Sequence, residues 1–134
     1  MFRKHYLCAP VIGICIGVLG CSASSPSNVS EVQGTVTVDG QPIPDALVTF
    51  KPRHSGKNSF GRTDTSGHYS LVYSTDLTGA EIGEHDVTIS NKPFPGHAIP
   101  KVLIPTKFGK PGTLTANVAG GTSNEIDFAM NSKR

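Results

Sequence analysis

The chain has 134 residues, 37% of them hydrophobic, with 16% charged and a formal net charge of +2 at pH 7. That length holds one small domain. Setting aside Arg3 and Lys4 in the leader leaves ten basic residues facing ten acidic ones, and a neutral body with scattered charges has no electrostatic attraction to nucleic acid.

The first segment reads as a leader. Arg3, Lys4 and His5 form a basic start, and an apolar run follows from Leu7 to Leu19. The run is shorter than the roughly 20 residues a membrane-spanning helix needs. A basic start, a short apolar run and small residues at its end mark a secretory signal. The run closes on VLGC, Val18 to Cys21, which resembles the lipobox of bacterial lipoproteins, although Val18 and Leu19 depart from the preferred Leu followed by a small residue. The resemblance implies that Cys21 is acylated, for example with palmitate, and becomes the first mature residue. The alternatives are a soluble secreted protein cut nearby and an uncleaved anchor. The next stretch, SASSPSNVS, is Ser-rich and polar, as a flexible tether is. Ser22 stands where an Asp signals inner-membrane retention in lipoproteins, which favours the outer membrane or the cell surface. All three cysteines, Cys8, Cys15 and Cys21, lie in or at the end of this leader. The folded part has no disulfide available, so core packing must hold it.

From Glu31 onward no segment keeps a 3.6-residue period. Short runs alternate between Gly, Pro, Asn and Asp, which is an all-β pattern. Glu31 to Val38 is the first strand, with Val32, Gly34, Val36 and Val38 on one face. Asp39-Gly40 is a two-residue turn signal. In DALVTFKP, Ala46, Val48 and Phe50 face in, while Leu47 and Thr49 face out. Residues 53–58 form a loop, and Ser59 to Thr63 pairs with His68 to Tyr73 as a hairpin. Residues 74–83 are another loop. His85, Val87 and Ile89 share one strand face. A Pro-rich connection covers 91–112. Leu114, Ala116 and Val118 face in on the next strand, and Ile126, Phe128 and Met130 on the last. About twenty inward apolar side chains, each stabilising by about 1.5–3 kcal/mol on burial, suit two packed sheets better than one. The expected fold is a seven-stranded, Greek-key-like β-sandwich.

The order of motifs carries a resemblance. GTVTVDGQPIPDALVTFKP, GRTDTSGHYSL, GAEIGEHDVTIS, IPTKF and TLTANVAGGTSNEIDF follow one another over residues 32–130. Together they resemble the carboxypeptidase regulatory-like domains with a transthyretin-like sandwich, many of which are small bacterial lipoproteins. The resemblance implies the fold and little about activity, because these domains are usually accessory modules. His85 departs from the pattern, standing where the family's G-x-Y-x-V-x-I strand carries an aromatic. It is expected at the interior or its rim.

GRTDTSGHYSL, residues 61–71, sets Asp64, Ser66, His68 and Ser70 close together. A catalytic triad needs an oriented base touching a nucleophile, and no G-x-S-x-G elbow is present. Asp64 and Gly67 instead suit a turn closed by side-chain-to-backbone bonds. His54, His68, His85 and His97 form no close-spaced ligand pair. A site assembled across strands from His68, His85 and Asp86 stays open. Hydroxyisourate hydrolases share only the fold, since this chain ends MNSKR and lacks their C-terminal motif. Intradiol dioxygenases share a related sandwich, but Tyr69 and Tyr73 read as core.

Three domains of organisation result: a signal at 1–20, a lipidated Cys and tether at 21–30, and the sandwich at 31–134. The expected role is a non-enzymatic envelope module, structural or adhesive, with no cofactor or metal. Its partners are the membrane through the anchor and envelope proteins or glycans. One alternative is a carbohydrate- or peptide-binding module that uses Phe94, Lys107 and Phe108 in the 91–112 segment. In a blander reading, Ile104, Pro105 and Phe108 plug one end of the sandwich. A second alternative is a small hydrolase or metal enzyme.

Overall fold

The computed structural model describes residues 28–91 and 104–133. Strand segments cover the stretches expected to be extended, but they are cut more finely. In chain order they are β1 (Val29–Ser30), β2 (Val32–Val38), β3 (Gln41–Pro42), β4 (Leu47–Pro52), β5 (Ser59–Arg62), β6 (His68–Ser70) and β7 (Val72–Ser74). Then follow β8 (Leu77–Thr78), β9 (Ala80–Glu81), β10 (Gly83–Ser90), β11 (Leu114–Val118), β12 (Asn124–Glu125) and β13 (Phe128–Met130). Among the described residues one 3-10 turn, Thr106–Gly109, precedes β11.

The larger sheet runs β11-β10-β4-β5-β7-β8, with every pair antiparallel. A second sheet is built on β2. There β3 and β6 lie antiparallel to it, and β12 and β13 parallel. A minimal ladder joins β1 to β9. The two main sheets face each other in a sandwich-like arrangement, with Phe50 of β4 edge-on to Phe128 of β13 at 6.1 Å between ring centres.

Alternation selects the inner faces as expected. On β2, Val32, Gly34, Val36 and Val38 are buried between half-exposed neighbours. Ala46, Val48 and Phe50 are buried, and so are His85, Val87 and Ile89. The core among the described residues comprises 17 buried apolar residues, with Leu114, Ala116 and Ile126 packed against it. That matches the burial a disulfide-free sandwich of this size needs.

The local turns also follow their chemistry. Asp39 and Gly40 have φ of 51° and 80°, and they return β2 onto β3 in the register Val38↔Gln41. This is the two-residue hairpin that matches the twist of its strands.

Two expectations are corrected. Ser59–Thr63 and His68–Tyr73 do not form a regular hairpin. Only Phe60↔Val72 pairs across β5 and β7, whereas β6 pairs with β2 in the other sheet, Gly34 opposite Tyr69. The chain changes sheet at Leu71. Its N–H donates to Val32 O of the second sheet at 3.0 Å, and its carbonyl accepts from Gly79 N at 2.8 Å. Leu71 is fully buried, so the alternation runs unbroken through the crossover. Residues 74–83, expected as a loop, contain β8 and β9.

Thr63 fixes the opposite corner. It is 5% exposed. Its hydroxyl donates to Ile43 O at 2.6 Å and accepts from Ala46 N at 2.8 Å. Thr63→Val would leave both backbone groups unpaired inside. The variant is expected to lose about 1–3 kcal/mol of stability, read as a lower urea midpoint at an unchanged m-value.

Candidate functional site

The polar run GRTDTSGHYSL folds as a turn that carries the chain from one sheet to the other. One carboxylate oxygen of Asp64 accepts three hydrogen bonds: from Ser66 N at 2.9 Å, Ser66 Oγ at 2.7 Å and His68 N at 3.0 Å. Gly67 N donates to Asp64 O at 3.0 Å, and Asp64 N donates to His68 O at 2.9 Å. These bonds, that of the Ser66 side chain first, hold the Asp64 carboxyl below its ordinary pKa. Gly67 has φ of 79°, and a Cβ there would lie 2.7 Å from Val36 O. His68 and Ser70 are exposed on the outer face of β6. The stretch thus spends its Asp and Ser on backbone geometry. Gly67→Ala is expected to cost at least about 1–2 kcal/mol for the left-handed backbone, and Asp64→Ala to lower the thermal midpoint more than Asp64→Asn, which keeps one acceptor oxygen.

The histidines are dispersed. β6 and β10 belong to different sheets, so His68 and His85 do not stand on neighbouring strands as a cross-strand metal site would require. No group of three or more metal-ligating side chains occurs among the described residues. His54 is exposed, and His97 lies outside the described residues. Asp86 faces out and pairs with Arg53 at 3.2 Å.

His85 is 1% exposed. Its ring lies 5.5 Å from that of Phe50. Nδ1 contacts Gly83 O at 3.0 Å, and Nε2 is buried with no partner. Burial lowers its pKa, against the smaller opposing effects of the Gly83 bond and the Glu81 charge. The unfolded chain therefore binds the proton first as pH falls. Stability is full above the ordinary histidine pKa of about 6.5 and declines as pH drops from there towards the folded value. Urea unfolding at pH 8 and pH 5 is expected to show this loss, and His85→Leu to reduce it.

The predicted lipidation site, Cys21, and the predicted contact residue Phe94 lie outside the described residues. Of the two readings of Phe108, partner contact or plug, its burial agrees with the plug. It is 7% exposed and belongs to the core. Ile104 is buried beside it, so Phe108 acts as part of a plug and offers no aromatic platform. Lys107 is exposed. Its Nζ sits 4.8 Å from the Phe108 ring centre and donates to Lys133 O at 3.1 Å.

Among the described residues the exposed aromatic is Phe60, at 48%. On β5 the buried positions are Ser59 and Gly61, so Phe60 faces out. Its cross-strand partners are Thr49 and Val72. Beside it, on the same outer face, a cleft of about 460 Å³ opens between β4, β10 and the 104–109 segment. Leu47, Thr49, Thr88 and Ser90 contribute from the sheet, and Ile104, Pro105 and Thr106 from the other wall. Asn91 joins them. Its Oδ1 accepts from Ile104 N at 2.5 Å, which anchors the far wall. A cleft assembled from strands so far apart in sequence leaves no local motif to read.

No protein-family model and no curated protein matches this chain.

Proposed function

We propose that the chain is a lipid-anchored module of the bacterial cell envelope with a non-enzymatic structural or adhesive role. In this reading residues 1–20 are a lipoprotein signal, Cys21 carries the lipid, and residues 22–30 are a tether. Residues 31–134 form a seven-stranded, Greek-key, transthyretin-like sandwich of the carboxypeptidase regulatory-like type. Ser22 favours delivery to the outer membrane or the cell surface.

The observation that carries the non-enzymatic reading is the turn at Asp64. The constellation closest to a nucleophile, base and acid in sequence has its carboxylate committed to Ser66 and to the backbone of His68. Ser70 and His68 stand on a regular strand, without the strained elbow that exposes a catalytic nucleophile. The motif order supports the family reading. GTVTVDGQPIPDALVTFKP runs through β2, its two-residue turn, β3 and β4, and Asp127 of the closing motif bonds back to β2 through Thr35 N at 2.8 Å.

The anchor is tested by expressing the full chain and Cys21→Ser in a Gram-negative host and separating membranes from soluble fractions. Wild type is expected in the membrane fraction and Cys21→Ser in the periplasmic extract. A Cys21→Ser protein that stays with the membrane would make the apolar run itself the anchor.

A further inference from the structure

We propose that the cleft beside Phe60 binds a neutral saccharide. The proposal rests on the reading of the domain as an interaction module and is independent of its anchor.

The lining argues first from charge. No Asp, Glu, Lys, Arg or His side chain is among the described residues that line the cleft. The described lining offers no charge to replace the hydration that an anionic or cationic ligand would lose. The lining mixes apolar Leu47, Ile104 and Pro105 with hydroxyl-bearing Thr49, Thr88, Ser90 and Thr106, and none of these four hydroxyls has a hydrogen-bond partner among the described residues. Four hydroxyls with no partner among the described residues, each able to donate and accept, call for a ligand dense in hydroxyls. A purely apolar ligand would strip water from all four and pair none.

Shape and register give the second argument. The volume, about 460 Å³, falls within the range of about 300–1,000 Å³ usual for small-molecule sites. Thr88, Thr49, Phe60 and Val72 are successive cross-strand partners on β10, β4, β5 and β7. Direct partners project from the same face. Strands lie about 4.8 Å apart, so Thr88 to Phe60 covers about 10 Å. A sugar ring has polar edges and an apolar C–H face. One ring seated among Thr49, Thr88 and Ser90 places the next over the half-exposed Phe60, whose apolar face packs against it. The register therefore predicts a preference for a linked oligosaccharide over a single ring.

The test uses the full chain purified in a zwitterionic, non-glycosidic detergent, so that no detergent headgroup competes. Cellotetraose, maltotetraose, chitotetraose and tetra-alanine are titrated calorimetrically, each against its monomer. At least one tetrasaccharide is expected to bind more tightly than its monomer, while tetra-alanine does not bind. Thr88→Val removes a hydroxyl at nearly constant volume and is expected to weaken that sugar about fivefold, and Phe60→Ala about tenfold. Both variants change outward-facing side chains, and unchanged urea midpoints certify their folds. Failure of all three sugars to bind, binding of tetra-alanine alone, or sugar binding that neither variant alters would overturn the proposal. The same preparation, recovered from membranes, reports the anchor separately. A membrane-bound chain that ignores sugars refutes the cleft and leaves the anchor standing.

Discussion

Gly34→Ala is expected to cost about 3–5 kcal/mol, roughly a third to a half of the stability of a domain at about 10 kcal/mol and most or all of that of one at about 5 kcal/mol. Gly34 sits mid-strand on β2, where glycine is otherwise unfavourable. A Cβ at this position would lie 1.8 Å from Ile126 O, 2.6 Å from Ile126 C and 3.0 Å from Tyr69 Cε1. Two of these atoms are backbone, so no side-chain rotation relieves the clash. The chain between β12 and β13 must retreat, and its retreat breaks further bonds. Ile126 N donates to Gln33 O at 2.8 Å, and the Tyr69 hydroxyl donates to Ile126 O at 2.5 Å. Burial pushes the Tyr69 pKa up, so this donor keeps its proton at any physiological pH. Overpacking of about 1–3 kcal/mol adds to two lost bonds at about 1 kcal/mol each. Chemical denaturation of wild type and Gly34→Ala checks the sum. A midpoint shift worth less than about 1 kcal/mol would mean that the chain near Ile126 yields without cost.

Phe50→Ala is expected to cost about 3–5 kcal/mol through loss of burial and the cavity left behind. Phe50 is fully buried at the centre of β4 and touches His85 on its own sheet and Phe128 on the other. Its removal separates the sheets where they meet. A second signature accompanies the destabilisation. His85 loses its covering ring, water reaches Nε2, and the pH dependence of stability between pH 8 and pH 5 becomes shallower than in wild type. Calorimetric unfolding across that range measures both effects at once.

These residues mark how far the sequence could be read. Period-two alternation fixes which side chains go inside, and it placed Val36, Phe50, Val87 and Phe128 correctly. Turn chemistry is equally local, so Asp39-Gly40 and Asp64 to Gly67 were legible from their own residues. Alternation is silent about which strands become neighbours. Tyr69 and Val72 lie three residues apart, yet β6 and β7 join different sheets, and an unbroken apolar alternation through Leu71 gives no sign of the crossover. Strands of two residues, such as β8 and β9, are too short to have a period. Phe108 stayed open between contact and plug for a related reason: a loop aromatic among prolines has no register, and only its burial decides for the plug. His85 was anticipated at the interior, where its alternation with Val87 and Ile89 put it. Gly34 read only as one inward position among four. The nearness of Ile126 O, which excludes every larger residue, depends on a parallel pairing with a segment some ninety positions away.

The measurement that tests the account most directly is the intact mass of the protein extracted from membranes, with its N-terminus sequenced by fragmentation. The account predicts a polypeptide that begins at Cys21 and carries a lipid mass on that residue. A chain that begins at Met1, or one cut elsewhere and free of lipid, would contradict it.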